Sequence, residues 1–478
     1  MLSLRHLVTS LIVTPFSLIA AQSPANLPAS ERQFVVVDAA VVALVGVTLI
    51  DGTGTAPKDN QTIIIDRGRI RWVGPRAAAQ VPAAARVLDL AGHTVIPGMV
   101  GLHDHTFYGG ADWPYVHQPV SAPRLYLASG VTTIRTTGTN APYQDIIVKR
   151  DIDRGYQVGP RMYVTGPYLN GPGGNHGIMF EVGSPEAARR VTAYWASACA
   201  SWIKVYDRIA RAELAAVVAE AHKHGVKVTG HLCSIGYREA VAAGMDAVEH
   251  GLYANQEYDP DKQPDKCPGV KMSVFESLDL NGKAVKATFR DMIKHRVGMT
   301  STVAIFEGLM ADRPPLEQRT LDALYPPAKD AYLAARAQLA SPAGRKGAIS
   351  EAAFQKLLAY EVAFVRAGGV LAAGVDPTGI GGVLAGFGDQ RNYELFLEAG
   401  FTPAEAVKIL SANGAQILGA AADFGTVTAG KSADLVVIRG DIAARPAEIR
   451  NVTLVFKQGV GYDSPKLIAS VKGMVGLR

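Results

Sequence analysis

"IPGMVGLHDHT", residues 96–106, is the stretch on which the reading of this chain turns. A run of apolar and small residues ends in His103 and His105, with Asp104 between them. Side chains of a strand alternate faces, so the two histidines share one face and Asp104 takes the other. Two imidazoles so placed can reach one metal ion. An isolated pair of this kind is more often satisfied by ordinary hydrogen bonds, so the rest of the chain has to decide.

Moving outward, "VVALVGVTLIDG", "NQTIIIDRGRIRWVG" and "ARVLDLAGHTVIPG" precede the motif and read as short strands between Gly, Asp and Asn turns. "GTVTAGKSADLVVIRGD" and "RNVTLVFKQGVGY" near the other end read the same way. The expectation is a small β-sandwich domain built from both ends, residues 35–95 and 425–465, with 96–424 inserted between them. That middle alternates strand-like and helix-like runs. After the opening motif come "GVTTIRTTG", "RMYVTGP", "ASWIKVYD", "VKVTGHL", "MDAVEHG", "VGMTSTV" and "GGVLAAGVDP". These eight candidates, separated by stretches such as "ARAELAAVVAEAHKHG", predict a parallel sheet and suit an α/β fold of the (β/α)8 TIM barrel type. Residues 307–365 are long for one connection and are expected to hold extra helices.

The chemistry of such a barrel sits at the C-terminal ends of its strands. His103 and His105 end the first strand, Lys204 lies in the fourth, His231 ends the fifth, His250 the sixth and Asp376 the eighth. One of these positions alone would be unremarkable. The convergence of all six favours a metal site over a structural role.

Bulk properties narrow the field. The chain has 478 residues, 48% hydrophobic and 19% charged, with a net charge of +5. That is ample core material and no basic block of the kind that binds nucleic acid. "MLSLRHLVTSLIVTPFSLIAAQSP" has Arg5 and His6, then an apolar run, then small residues, the layout of a signal peptide over residues 1–21. The run is short for a membrane span and contains Pro15. The expectation is a periplasmic or secreted protein without stable membrane insertion after cleavage. Of Cys199, Cys233 and Cys267, an exported protein can pair two. The insertion "NQEYDPDKQPDKCPG" follows the sixth strand, and Cys233 lies just past His231. A Cys233–Cys267 disulfide tying that lid to the site is the expectation.

The motifs "IPGMVGLHDHT", "GVTTIRTTG", "WIKVYD", "VTGHL", "AVEHG", "AAGVDP", "GFTPAEAVKILSANGAQILG" and "GTVTAGKSADLVVIRGD", in that order and spacing, resemble the amidohydrolase superfamily. Within it they resemble the branch of Xaa-Pro dipeptidases (prolidases) and imidazolonepropionase. The resemblance covers about residues 43 to 460 and implies two divalent metal ions, with zinc expected. It implies that His103, His105 and Asp376 hold one ion, that His231 and His250 hold the other, and that a carboxylated Lys204 bridges them. A lysine ammonium between two cations would be repelled, whereas its carbamate is a bidentate anion. The implied reaction is attack of a metal-bridging hydroxide on an amide or peptide C–N bond, with Asp376 carrying the proton. The implied substrates are small molecules, dipeptides or N-acyl amino acids, and analogy suggests a homo-oligomer. A lactonase or phosphotriesterase activity on the same metals is the alternative, and a non-catalytic binding protein a remote one. His176, in "NGPGGNHGIMF", resembles a histidine this branch places near substrate, with a solvent-facing loop residue equally compatible. Tyr206 shares the Lys204 face and could donate to a tetrahedral intermediate, or simply pack. Arg135 could bind a carboxylate but reads rather as a partner in an internal salt bridge, His222 and His224 read as surface or helix-end residues, and His93 and His117 carry no partner signal. Val375 stands where the family has threonine before the aspartate.

Overall fold

The computed structural model describes residues 26–110, 113–174 and 178–478. The expected leader and His176 lie outside them. Eight strands follow the expected order: β1 Met99–Asp104, β2 Val131–Thr136, β3 in two stretches, Arg161–Tyr163 and Thr165–Asn170, β4 Trp202–Val205, β5 Lys227–Gly230, β6 Ala247–Glu249, β7 Gly298–Ser301 and β8 Leu371–Ala373. They are short and apolar because both faces are covered, as parallel strands require. Helices lie between them, among them Ser121–Ala128, Pro142–Asp153, Pro185–Ser197, Arg211–Lys223, Tyr237–Ala243 and Lys283–Lys294. The long connection between β7 and β8 holds Gln318–Ala323, Pro326–Ala340 and Glu351–Arg366, the extra helices anticipated there.

The strands pair in parallel from β1 through β5, and again from β6 through β8. β8 returns to β1 with Ala373 opposite Gly101. Among the described residues no ladder joins β5 to β6. Instead the Asp246 amide donates to the Val228 carbonyl at 3.1 Å, and the Asp246 carboxylate accepts from the Val228 amide at 2.8 Å. A side chain thus takes the amide that a strand neighbour would take. The α/β class stands, but the hydrogen-bonded closure expected of a barrel is interrupted at this seam.

Both chain ends meet in one nine-stranded sheet. Its order is Val35–Val37, Val460–Asp463, Val452–Lys457, Leu435–Arg439, His93–Pro97, Val41–Leu49, Lys58–Asp66 and Arg69–Pro75, with Arg86–Asp89 beside Val41–Leu49. The ladder runs unbroken through these strands, so the two ends form one hydrogen-bonded β-body. Val42, Leu44, Val47, Ile63, Ile65, Val95, Leu435, Val437 and Phe456 form its apolar core. Gly98 joins this sheet to β1. A Cβ there would lie 2.1 Å from Thr132 Oγ1, so only glycine lets the chain pass from one sheet into the other. The quoted stretch is therefore the junction of the molecule as well as the bearer of its histidines.

Candidate metal centre

The strand ends place the predicted side chains at one locus. His103 Nε2 lies 3.7 Å from Asp376 Oδ2, His105 Nε2 3.3 Å from Asp376 Oδ1, and His250 Nδ1 3.9 Å from Asp376 Oδ2. One donor atom each from His103, His250 and Asp376 falls within 4.8 Å of the others, the spread of a single ion's ligands. The His231 ring packs 4.5 Å from that of His250, and the His103 ring 4.3 Å from it. His250 therefore sits between the groups expected to hold separate ions, and the structure draws no gap between them.

Each imidazole is fixed from behind. His103 Nδ1 is 2.8 Å from Glu249 Oε2, and His105 Nδ1 3.0 Å from the Gly138 carbonyl. With those acceptors taking an Nδ1 proton, both Nε2 lone pairs face Asp376, and three electron-rich groups confront one another. That donor set fits a cation. His250 Nδ1 is 2.8 Å from Thr302 Oγ1. Glu249 also accepts from Arg135 and Thr229, which makes Arg135 the internal salt-bridge partner expected. His250 and Asp376 both adopt left-handed backbone, φ 69° and 47°, strain that concentrates at functional positions.

Lys204 is fully buried, and its Nζ has no hydrogen-bond partner among the described residues. Burial pushes its ammonium down to about 8 against the pull of Glu249 and Asp376. Burial likewise drives His103 and His250 well below the usual imidazole range. For Asp376 burial acts upward, but His103, His105 and Lys204 outweigh it and hold the carboxyl below its ordinary value. The side chain of Asp376 keeps 13% exposure against 1–3% for the three histidines it faces, so it is more open to the mouth than they are.

Aromatic rings surround the cluster. Tyr206 lies 4.7 Å from the His231 ring and edge-on to Tyr168 at 5.5 Å. The Tyr168 hydroxyl is 3.4 Å from His105 Nε2. Tyr253 stacks on Phe306 at 4.3 Å, and Phe306 meets the His250 ring at 5.8 Å. Cys233 and Cys267 are disulfide-bonded, as expected, and Cys199 is a free exposed thiol. Lys262, in the insertion, donates to the Ser234 carbonyl at 2.7 Å. The insertion is thereby fastened beside the end of β5.

Val375 in place of threonine leaves the local bonding to its backbone, whose amide donates to Asp104 Oδ1 at 3.1 Å. His222 and His224 are surface residues paired with Asp246 and Glu220. His117, by contrast, has partners: its Nε2 is 3.2 Å from Asp145 Oδ1 and 3.1 Å from Thr106 Oγ1. Sequence reading also passed over Glu249, Thr302 and Tyr168. For Glu249 the signal was present, since a carboxylate inside an otherwise apolar strand has to have a partner.

The model of the Amidohydrolase family matches residues 94–263 and 342–461, more than half of the chain. The imidazolonepropionase of Deinococcus radiodurans is 43% identical over 58 residues, 12% of this chain and 14% of that protein, so the chain covers well under two thirds of this relative's length. Among solved structures, a Xaa-Pro dipeptidase with methionine bound in its active site superposes with a TM-score of 0.65 at 20% identity, over 88% of this chain and 100% of that one. The bottromycin amidohydrolase superposes with a TM-score of 0.68 at 20% identity, over 94% and 96%. With its family model matched over more than half of its length and its strand-end histidines converging on one aspartate, the chain belongs to the amidohydrolase family.

Proposed function

We propose that this protein is an exported, binuclear metal-dependent hydrolase of C–N bonds, acting on small amides such as Xaa-Pro dipeptides or N-acyl amino acids. The observation that carries the reading is the meeting of His103, His105, His250 and Asp376 over a buried, unpartnered Lys204 amine. In this reading residues 96–424 form a (β/α)8 barrel, and 35–95 with 425–465 a β-sandwich domain. The Cys233–Cys267 bond favours an oxidising compartment, in keeping with a cleaved leader over residues 1–21.

The residues fit a divalent pair, with zinc the expected ion. His103, His105 and Asp376 would hold one ion, His231 and His250 the other, and Lys204 would bridge them as a carbamate formed when CO2 adds to the neutral amine and a proton leaves. When bound, such ions supply Lewis acidity and lower the pKa of water. Asp376, ionised and open to the mouth, accepts a proton at its carboxylate and returns it to the departing amine nitrogen. Glu249, the Gly138 carbonyl and Thr302 hold the imidazoles in place throughout. Tyr206 would donate to the oxygen that gains charge.

Lactone or phosphotriester hydrolysis uses the same donor set and is the second reading. The test is turnover of Xaa-Pro dipeptides, Xaa-Arg dipeptides and N-acyl amino acids beside lactones and a phosphotriester, each with and without chelator. Chelator-sensitive cleavage of the amides supports the proposal. Cleavage of lactones or phosphotriesters alone, or activity indifferent to chelator, overturns it.

A further inference from the structure

A hairpin, Phe107–Gly110 paired with Trp113–His117, follows the histidine motif directly. Phe107 stacks on the His105 ring at 4.5 Å, and Tyr115 meets Phe107 edge-on at 5.1 Å. Tyr115 is nonetheless 41% exposed. Gly109 makes the crossing possible, because a Cβ there would lie 2.8 Å from the Tyr115 ring. Phe107 thus sets the Tyr115 ring one ring away from His105, and the Tyr115 hydroxyl is pushed up first by burial and then by the charge of Asp376. Tyr168 and Tyr206 each feel it as well.

The hairpin is held from several sides. Trp113 Nε1 donates to the Gly476 carbonyl at 3.1 Å, and the Arg478 guanidinium lies 4.4 Å from the Trp113 ring centre. Gln118 donates to the Leu477 carbonyl at 3.3 Å, Tyr108 to the Gly381 carbonyl at 3.1 Å, and His117 is paired with Asp145. Tyr115 packs edge-on against Phe107, yet this firmly fastened hairpin leaves 41% of the residue exposed. An aromatic ring beside a cluster of candidate ligands is the kind of lining that small-molecule sites use.

Resting on the proposed function, we infer that Tyr115 is a specificity-determining residue that takes a flat apolar or aromatic group of the substrate against its ring, next to the scissile carbonyl. Phe107 and Tyr115 form one wall of this subsite. Tyr253 and Phe306 stand on the His250 side of the cluster. A pocket so walled favours aromatic acyl groups over acetyl-sized ones.

The experiment uses the metal-loaded full chain and two product-like probes, benzoate and acetate, titrated calorimetrically so that no turnover is needed. Wild type is expected to bind benzoate at least fivefold more tightly than acetate, in line with about what one aromatic pair contributes. Y115A should bring that ratio close to one with acetate binding unchanged, and Y115F should keep the wild-type ratio. An unchanged ratio in Y115A, a lost ratio in Y115F, or no benzoate preference in wild type overturns the inference. A wild type that prefers benzoate yet cleaves no amide would instead refute the proposed function while leaving the subsite intact.

Discussion

Thr302 makes one contact that matters, the 2.8 Å approach of its hydroxyl to His250 Nδ1. A hydrogen bond of this kind fixes which ring nitrogen carries the proton and which way the imidazole points, and its loss typically weakens metal binding by about tenfold or more. T302A should therefore raise the dissociation constant for added zinc about tenfold, measured by competition with a chromogenic chelator, whereas T302S should restore wild-type affinity. Equal affinities in T302A and wild type would mean that the contact orients nothing. At this scale the sequence was informative in one direction. Period-two alternation put His103 and His105 on one face, and the strand-end rule found His231, His250 and Asp376. It could not reveal that Glu249 stands behind His103, because the two are 146 residues apart and meet only across the folded strands. Nor could it foresee the left-handed backbone at His250 and Asp376, which non-glycine residues rarely adopt.

Between elements, the helix Glu351–Arg366 packs its Glu361 against β7, where Oε2 accepts from Ser301 Oγ at 2.7 Å. Burial pushes this carboxyl up to about 8 from an ordinary 4.5, despite the Ser301 bond. The folded state then holds a proton that the unfolded state releases above 4.5. The contribution of Glu361 to stability is fully present below that pH and is lost as pH rises toward 8. E361Q cannot ionise, so its melting temperature should fall less than wild type's between pH 5 and pH 9. Parallel melting curves for the two proteins would contradict this. The Cys233–Cys267 bond closes a loop with a sequence separation of 34 and fastens the insertion. Replacing both cysteines by serine should cost about 3 kcal/mol of stability and open the insertion to proteolysis, read by thermal melting and limited digestion. Element order was legible because apolar runs and Ala-rich helical stretches alternate. The seam between β5 and β6 was not, since nothing in "MDAVEHG" announces that Asp246 uses its side chain to cap the Val228 amide.

For the whole molecule, the sequence predicted that both chain ends meet in one β-rich body, because the flanking strands share a pattern that the middle lacks. It did not show that the meeting is a single nine-stranded ladder, which depends on the His93–Pro97 strand lying between Leu435–Arg439 and Val41–Leu49. Gly98 passes that strand directly into β1, so the sheet and the histidine face are mechanically continuous. The proposed hydrolysis refers back to whether the mouth is a dinuclear centre. The most direct measurement is metal content by elemental analysis of the purified chain, with anomalous diffraction to locate the ions. The account predicts two divalent ions per chain, lying among His103, His105, Lys204, His231, His250 and Asp376, with K204A losing at least one of them. A chain that carries no metal at these residues and keeps full activity in chelator would contradict it.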